Sequence, residues 1–406
     1  MAKQEIPHGS FGIPKQSLLP QEEMLEVGKR QNQLLIGIPK EADIYESRIP
    51  LTPEAVEILV NNGHQVMIES DAGLSANYSN TQYSENGALI VDKADVLKAD
   101  VILKIAPLSA KELSTLKGGQ IIMSSLHLRN HSEEYIRGLM QKKITAISFE
   151  NIKDQYSCYP VVRSMSEIAG NTAILIAAEY LSNANKGKGV MLGGITGITP
   201  TEVVIIGAGT AGESAARAAL GLGAFVKVMD NSIHKLERLQ DHLGVRLHTS
   251  VLHPQVLKKA LKSADVVIGA VHLTGMEQKI IVTEEMVSEM KKGSVIVDIS
   301  IDQGGCFETS KCSNHGDPVF RKHDVIHYCV PNIASRVART ASIALSNVLA
   351  PILQDIAYSG SITQMLKNDL GLRNGVYIYN GILTNHIIGN MLGIPSQDIN
   401  LLMAAF

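Results

Sequence analysis

From Leu34 onward, short apolar runs alternate with segments whose apolar residues recur at helical spacing. LLIGIP (34–39), HQVMIES (64–70), ADVILKI (99–105), QIIMSSL (120–126) and KITAISF (143–149) read as strands. TPEAVEILVNNG (52–63) reads as a helix stopped by Asn-Gly. From Ser166 the pattern is helical, with Ile168, Ala169, Ala173, Ile176, Ala177 and Tyr180 on one face. After the glycine-rich segment GKGVMLGGITGITP (187–200), a second set of strands begins: EVVIIG (202–207), FVKVMD (225–230), DVVIGAV (265–271), SVIVDIS (294–300) and DVIHYCV (324–330). A further long helix is predicted from about Ser335 to Tyr358, and the tail to Phe406 carries helical segments of its own.

Such alternation implies βαβ units and parallel sheets. The predicted fold is α/β: two doubly wound, Rossmann-like domains joined by long helices. Residues 1–33 form an irregular polar extension. Residues 34–160, rejoined by about 339–406, form one domain, and residues 161–338 the other. The halves echo each other, ADVILKIA (99–106) against ADVVIGAV (264–271), although Ala-Asp-Val is also a common strand entry. Two such domains place a site in the cleft between them.

The second half opens on VVIIGAGTAGESAARAALGLGAFVKVMD, with Gly207, Gly209 and Gly212 between a strand and a helix, and Asp230 closing the next strand. Gly207 permits a tight turn, Gly209 lets a pyrophosphate approach the backbone, and Gly212 lets helix and strand pack closely. The free N–H groups of the helix N-terminus suit phosphates. An acid at 230 accepts ribose hydroxyls and repels a 2′-phosphate, so NAD is expected over NADP; Lys235 pulls the other way. The plainer reading is a glycine turn kept for packing.

Composition narrows the class. The 406 residues are 45% hydrophobic and 19% charged with net charge -3, so no basic surface points to nucleic acid or anionic membrane. Four cysteines make no disulfide framework, which fits a reducing compartment. The N-terminal stretch lacks the apolar core of a secretory signal. The most apolar helical stretch, TAILIAAEYL, is far short of the ~20 residues a membrane span needs. A cytoplasmic location is expected. Cys306, Cys312 and His315 have no common zinc spacing and no evident fourth ligand, so no metal is expected. Cys329, in an apolar run, reads as core.

In SVIVDISIDQGG (294–305) a strand runs into Asp302 and two glycines. Ligands of doubly wound sheets bind beyond the carboxyl ends of strands, so Asp302 suits a carboxylate acting on substrate, with Gly304 and Gly305 keeping the approach open. A turn aspartate is the plainer reading. His127 reads either as a proton-transfer group or as an ordinary strand-end histidine, and His131 as solvated. Arg48 reads either as a fork for a carboxylate or as a surface charge.

These residues fall in stretches that carry a resemblance: GIPKEADIYESRIPLTPEAV (37–56), SSLHL (124–128), SMSEIAG (164–170), GVMLGGITGITPTEVVIIGAGTAG (189–212) and VDISIDQGGCFE (297–308). From about residue 34 to 395 the chain resembles alanine dehydrogenases and the NAD-binding domain of proton-translocating transhydrogenases, the pairing of His127-Leu128 with 301–308 being closer to the former. The resemblance implies NAD-dependent, reversible oxidative deamination of L-alanine to pyruvate and ammonia by a homo-oligomer, a hexamer in size, acting on a small amino acid or 2-oxo acid. It implies His127 and Asp302 as catalytic residues, Arg48 and Lys104 as substrate contacts, and Ser166, Asp230, Lys235 and Asn332 as cofactor contacts beside the glycines. One departure stands out. Where the family usually has Lys-Val-Lys-Glu-Pro, this chain has LKIAPLS, with Ala106 at the second lysine. That leaves open a dehydrogenase for another amino acid, a soluble hydride-exchanging component, or a non-catalytic nucleotide sensor.

Overall fold

Val203, Val204, Ile205 and Ile206 are all fully buried, on both faces of one strand. A strand apolar on both sides belongs in a parallel sheet covered by helices above and below, and the computed structural model has two such sheets. It describes residues 33–126, 132–272 and 280–405. His127, His131 and nearly all of the N-terminal extension lie outside these.

The first sheet contains β1 (Leu35–Ile38), β2 (Gln65–Glu69), β3 (Leu89–Val91), β4 (Val101–Leu103), β5 (Ile121–Ser124) and β6 (Thr145–Ser148). The second contains β7 (Glu202–Ile206), β8 (Phe225–Met229), β9 (His248–Ser250), β10 (Val266–Gly269), β11 (Val295–Asp298), β12 (Val319–Lys322) and β13 (Val325–Tyr328). A C-terminal pair, β14 (Val376–Tyr379) and β15 (Ile382–Leu383), adds antiparallel to the first sheet beside β6. The orders are β15-β14-β6-β5-β4-β1-β2-β3 and β12-β13-β11-β10-β7-β8-β9. Leaving out β14, β15 and the antiparallel edge strand β12, the two sheets share one winding. In each, the first strand of the set lies between the second and the fourth, and there the connections part to opposite sides. Ile36 pairs with Val66 on one flank and Val101 on the other, as Val203 pairs with Val226 and Val266.

The strands β3, β9, β12, β14 and β15 have no counterpart in the expected elements. Each is short or at or near a sheet edge, where the apolar run that marks a buried strand is absent. The tail expected to be helical thus contains a strand pair as well as helices.

Two long helices cross between the sheets. Pro160–Leu181 starts earlier than expected, because Pro160 suits a first helical turn. It buries Ala169, Ala173, Ile176 and Ala177 in the second core, against Ala215 and Ala219 of the helix Thr210–Gly221. Gly170 makes that crossing close: a Cβ there would overlap the carbonyl of Ala211. The other helix, Ala338–Tyr358, puts Leu345, Leu349, Leu353 and Ile356 into the first core. Together with the turn before it, this stretch (Ile333–Tyr358, 26 residues, with an 18-residue window of mean hydropathy 1.2) is longer than the one singled out from the sequence and long and apolar enough to cross a membrane by length and composition alone, but half of that window is buried inside the protein. Its apolar side packs against the sheet.

The polar residues of that helix have a separate task. Residues 47–52 run extended beside it without a strand partner. Their N–H groups are met by serines: Ser47 donates to Ser335 Oγ (2.7 Å), Ile49 to Ser342 Oγ (2.9 Å) and Thr52 to Ser346 Oγ (2.7 Å). Ser335 Oγ donates in turn to the carbonyl of Tyr45 (2.9 Å). Ser342 and Ser346 lie one turn apart on the helix and Ser335 lies in the 3₁₀ turn Ile333–Val337 that precedes it, so these three hydroxyls together fix the segment that carries Arg48. Ser342→Ala or Ser346→Ala leaves a buried N–H without a partner, and each is expected to cost about 1–3 kcal/mol. Urea unfolding measures this, with exposed Ser288→Ala staying within about 0.5 kcal/mol of the parent.

Candidate active site

Beyond β7 the chain turns at Gly207 with φ +110°, where a side chain would press on the backbone of Ala270 at the end of β10. Gly212 sits against the carbonyl of Gly207, closer than any Cβ permits. Gly209 is the N-cap of Thr210–Gly221, has no side-chain capping bond, and has no atom within 4 Å of where its Cβ would be. The helix therefore ends in unsatisfied N–H groups facing open space, which is what an anion at a helix N-terminus requires. Asp230 follows β8 and spans the turn: Oδ2 accepts from Ala208 N and Oδ1 from Ser232 N, each at 2.8 Å. Each oxygen keeps a lone pair for a ribose hydroxyl. Ser166 lies one helical turn before Gly170, the residue in contact with Ala211, and so stands beside the same N-terminus. Lys235 is exposed on the following helix. These residues fit a dinucleotide.

Across the cleft, Arg48 and Glu46 form a two-bond pair, Nε to Oε1 at 2.8 Å and an Nη to Oε2 at 2.7 Å. Both side chains are nearly buried, 12% and 7% exposed. Burial opposes the charge on Arg48, but the Glu46 bonds and charge, with Asp302 and Glu41 more weakly, outweigh it and hold the guanidinium above its ordinary range. Burial likewise raises Glu46, and Arg48 and Asn332 more than offset this, so the acid stays ionised. The pair uses the Nε side of the guanidinium. Among the described residues the other amino group is bonded to Met165 Sδ alone, at 3.5 Å, and it is the edge on which a substrate carboxylate can be held.

Asn332 joins the two sides. Its Nδ2 donates to Glu46 Oε2 (2.7 Å), while its backbone N donates to Asp302 Oδ1 (2.9 Å). Doing both requires the left-handed backbone it adopts, φ 59°, which asparagine tolerates better than most residues. Sequence reasoning gave Asn332 only a cofactor role.

Lys104, just past β4, is 1% exposed and paired with Glu41 at 2.8 Å. Glu41 also accepts from the backbone of Ile105 (2.6 Å) and Ala106 (3.4 Å). Burial raises the Glu41 carboxyl despite the lysine charge. Lys104 thus meets an internal acid, and any substrate contact falls to its remaining donors.

The turn after β11 differs from expectation. The strand ends at Asp298, not Ser300, and Asp302 sits exposed in a 3₁₀ turn, Ile299–Gln303. The glycines are required by the local backbone. Gly304 (φ +102°) closes the turn, and Gly305 (φ +79°) folds onto Asp298, where a Cβ would come within 2.7 Å of its carboxylate. Burial pushes Asp298 up to about 6. Cys306, beside it, is buried, and burial raises its thiol further. Cys329 is buried and pushed up to about 12 by burial, matching its expected packing role. Among the described residues no group of His, Cys, Asp and Glu could hold a metal.

His127 lies outside the described residues; the chain leading to it is tied down by Leu126 N donating to Glu150 Oε1 at 3.1 Å. Sequence reasoning missed Glu41, Glu46, Asp298 and Glu150. Glu41, Glu46 and Asp298 lie inside the motifs already noted, so an unexplained acid next to an assigned residue was the available signal.

Comparison with known proteins agrees with this layout. The model of the alanine dehydrogenase/PNT N-terminal domain matches residues 37–169, and that of the C-terminal domain matches 173–386. The chain belongs to the alanine dehydrogenase/PNT family. The family is NAD(H)-dependent. Alanine dehydrogenase of Staphylococcus saprophyticus is 40% identical over 368 residues, 90% of this chain and 99% of that protein. Alanine dehydrogenase 2 of Staphylococcus aureus is 39% identical over 352 residues, 86% and 94%. A solved L-alanine dehydrogenase superposes with TM-score 0.83 at 33% identity, covering 88% of this chain and 99% of that one. A transhydrogenase from Sinorhizobium meliloti gives 0.74 at 25% identity, covering 86% and 99%.

Two outcomes follow. Asp230→Ala raises the KM for NAD and shifts the NAD/NADP preference toward NADP, measured by steady-state kinetics with both cofactors. Lys104→Met, which strands Glu41 as an unpaired buried acid, costs about 3–5 kcal/mol in urea unfolding, and adding Glu41→Gln recovers most of it.

Proposed function

We propose that this family member is an NAD-dependent alanine dehydrogenase, converting L-alanine reversibly to pyruvate and ammonia. The observation that carries this is Asn332 bonded at once to Asp302, beyond the second sheet, and to the Glu46–Arg48 pair, beyond the first. A carboxylate-binding arginine and an exposed acid are thereby held together at the mouth of a dinucleotide cradle. The names of the relatives favour alanine.

NAD, when bound, supplies the hydride acceptor. The free edge of Arg48 holds the substrate carboxylate, and orienting the Cα–H this way can contribute several kcal/mol. Asp302 directs water or ammonia to the imine carbon and balances positive charge. His127 takes and returns the protons as water adds and the carbinolamine collapses. Ser166, Asp230, Lys235 and Asn332 serve the cofactor with Gly207, Gly209 and Gly212. Lys104 acts on substrate at most alongside its bond to Glu41, and with Ala106 beside it the site has one free cationic edge among the described residues, which favours a small substrate with a single carboxylate.

Sheet membership supports a unit of 34–160 with about 339–406, and a second of 161–338. A cytoplasmic homo-oligomer of hexameric size is part of the same reading. Met191, Ile195 and Ile198, 60%, 59% and 63% exposed, form the kind of apolar surface that a subunit contact covers.

The test is NADH formation from NAD and a panel of amino acids by the purified chain alone. L-Alanine is expected to be the best substrate, and turnover with no partner protein excludes a hydride-exchanging component. His127→Ala and Asp302→Ala are each expected to lower kcat by roughly 10²-fold or more, with NADH binding retained. Wild-type kcat in either variant would remove that residue from the mechanism.

A further inference from the structure

One buried carboxylate holds both ends of the loop that presents Asp302. Asp298 is fully buried at the end of β11. Its Oδ1 accepts from Ser300 N (3.1 Å), where the chain enters the turn, and its Oδ2 accepts from Cys306 N (3.1 Å), where it leaves. Ser310 Oγ donates to Oδ2 at 2.6 Å and Cys306 Sγ approaches Oδ1 at 3.7 Å. A carboxylate has about four acceptor positions, and four donors converge on this one. The surroundings are shaped to admit it: a Cβ on Gly269 would lie 2.8 Å from Oδ1 and one on Gly305 2.7 Å from Oδ2. The turn is also tied to the neighbouring strand's end, where Ser300 Oγ accepts from Val271 N (3.0 Å) and donates to Val271 O (2.9 Å). Asp302 stands between the two clamped ends, and its own carboxylate meets Asn332.

We propose that Asp298 is a positioning residue for the dehydrogenase reaction, clamping the entry and exit of the 299–306 turn so that Asp302 is held at the mouth of the cleft. This rests on the role given to Asp302 above. Asp298 touches neither substrate nor cofactor in this reading; it acts through the backbone it ties. An amide in its place keeps one acceptor but turns the other oxygen into a donor facing donors, so the loop must rearrange on at least one side.

The experiment measures kcat and KM for full-length wild type, Asp298→Asn, Asp302→Ala and the double variant. Asp298→Asn is expected to lower kcat by roughly 10- to 100-fold while the KM for NADH stays within about threefold. In the Asp302→Ala background the same change is expected to lower kcat no further, since residues acting as one unit are not additive. Ser310→Ala, which removes one donor and leaves the acid, is expected to give a milder version of the same pattern and carries the test if Asp298→Asn does not fold. An equal fall in both backgrounds, or unchanged kcat with Asp302 intact, overturns the inference while leaving the proposed function standing. Wild-type kcat in Asp302→Ala alone overturns the inference together with the role given to Asp302, and that arm by itself shows that the role of Asp302 is what failed.

Discussion

The site depends on one hydrogen bond between halves of the molecule, from Asn332 Nδ2 to Glu46 Oε2 at 2.7 Å. Glu46 is nearly buried, and a buried acid is tolerable only when its charge is met. Arg48 meets most of it, and Asn332 occupies a further acceptor position. The interaction therefore aligns the arginine, satisfies the acid and joins the loop beyond β13 to the segment beyond β1. Because the backbone of Asn332 also holds Asp302, the separation of the Glu46–Arg48 pair from that acid is set by a single residue. Ser335, in the 3₁₀ turn before the helix Ala338–Tyr358, and Ser342 and Ser346 on it restrain that distance on the Arg48 side.

The two sheets share a winding but use the same place differently. In each, connections leave to opposite sides between the first and fourth strands, opening a crevice at the carboxyl ends. In the second sheet the crevice is kept empty by Gly207, Gly209 and Gly212, so a dinucleotide's phosphates can reach the helix N-terminus. In the first sheet it is filled by Glu41 and Lys104, an ion pair sealed by the backbone of Ile105. One crevice is open and the other is closed by its own ion pair. Ion pairs this deep contribute little net stability, but breaking one is costly, so Glu41 and Lys104 constrain each other's replacement more than either constrains the fold.

What could be read from the chain alone follows from local physics. The central strands were legible because burial on both faces demands uninterrupted apolar runs, as in VVII of β7. The dinucleotide cradle was legible because its requirement is for missing side chains, and glycines at fixed spacing after a strand state that directly. Arg48 and Asp302 could be singled out, by resemblance and by place at a strand end. The short strands β3, β9 and β12, and the β14–β15 pair, were not legible. Their pairing comes from a sheet edge supplied by distant sequence, and their own pattern is too brief to declare it.

The acids show most clearly what only the tertiary structure decided. Sequence assigned the carboxylate at the tip of β11 to chemistry and the glycines after it to an open approach. In the folded chain the strand stops four residues before Asp302, at a second acid, Asp298, and Gly305 is needed so that the backbone can wrap around it. Likewise Lys104 was read as facing substrate, and its ammonium meets Glu41, 63 residues away in the chain. Local pattern determines which residues form a strand, a helix or a phosphate turn, because those requirements are met within a few neighbours. Which acid faces which cation or N–H is settled only when segments hundreds of residues apart are packed together, and burial then forces every charge to find a partner.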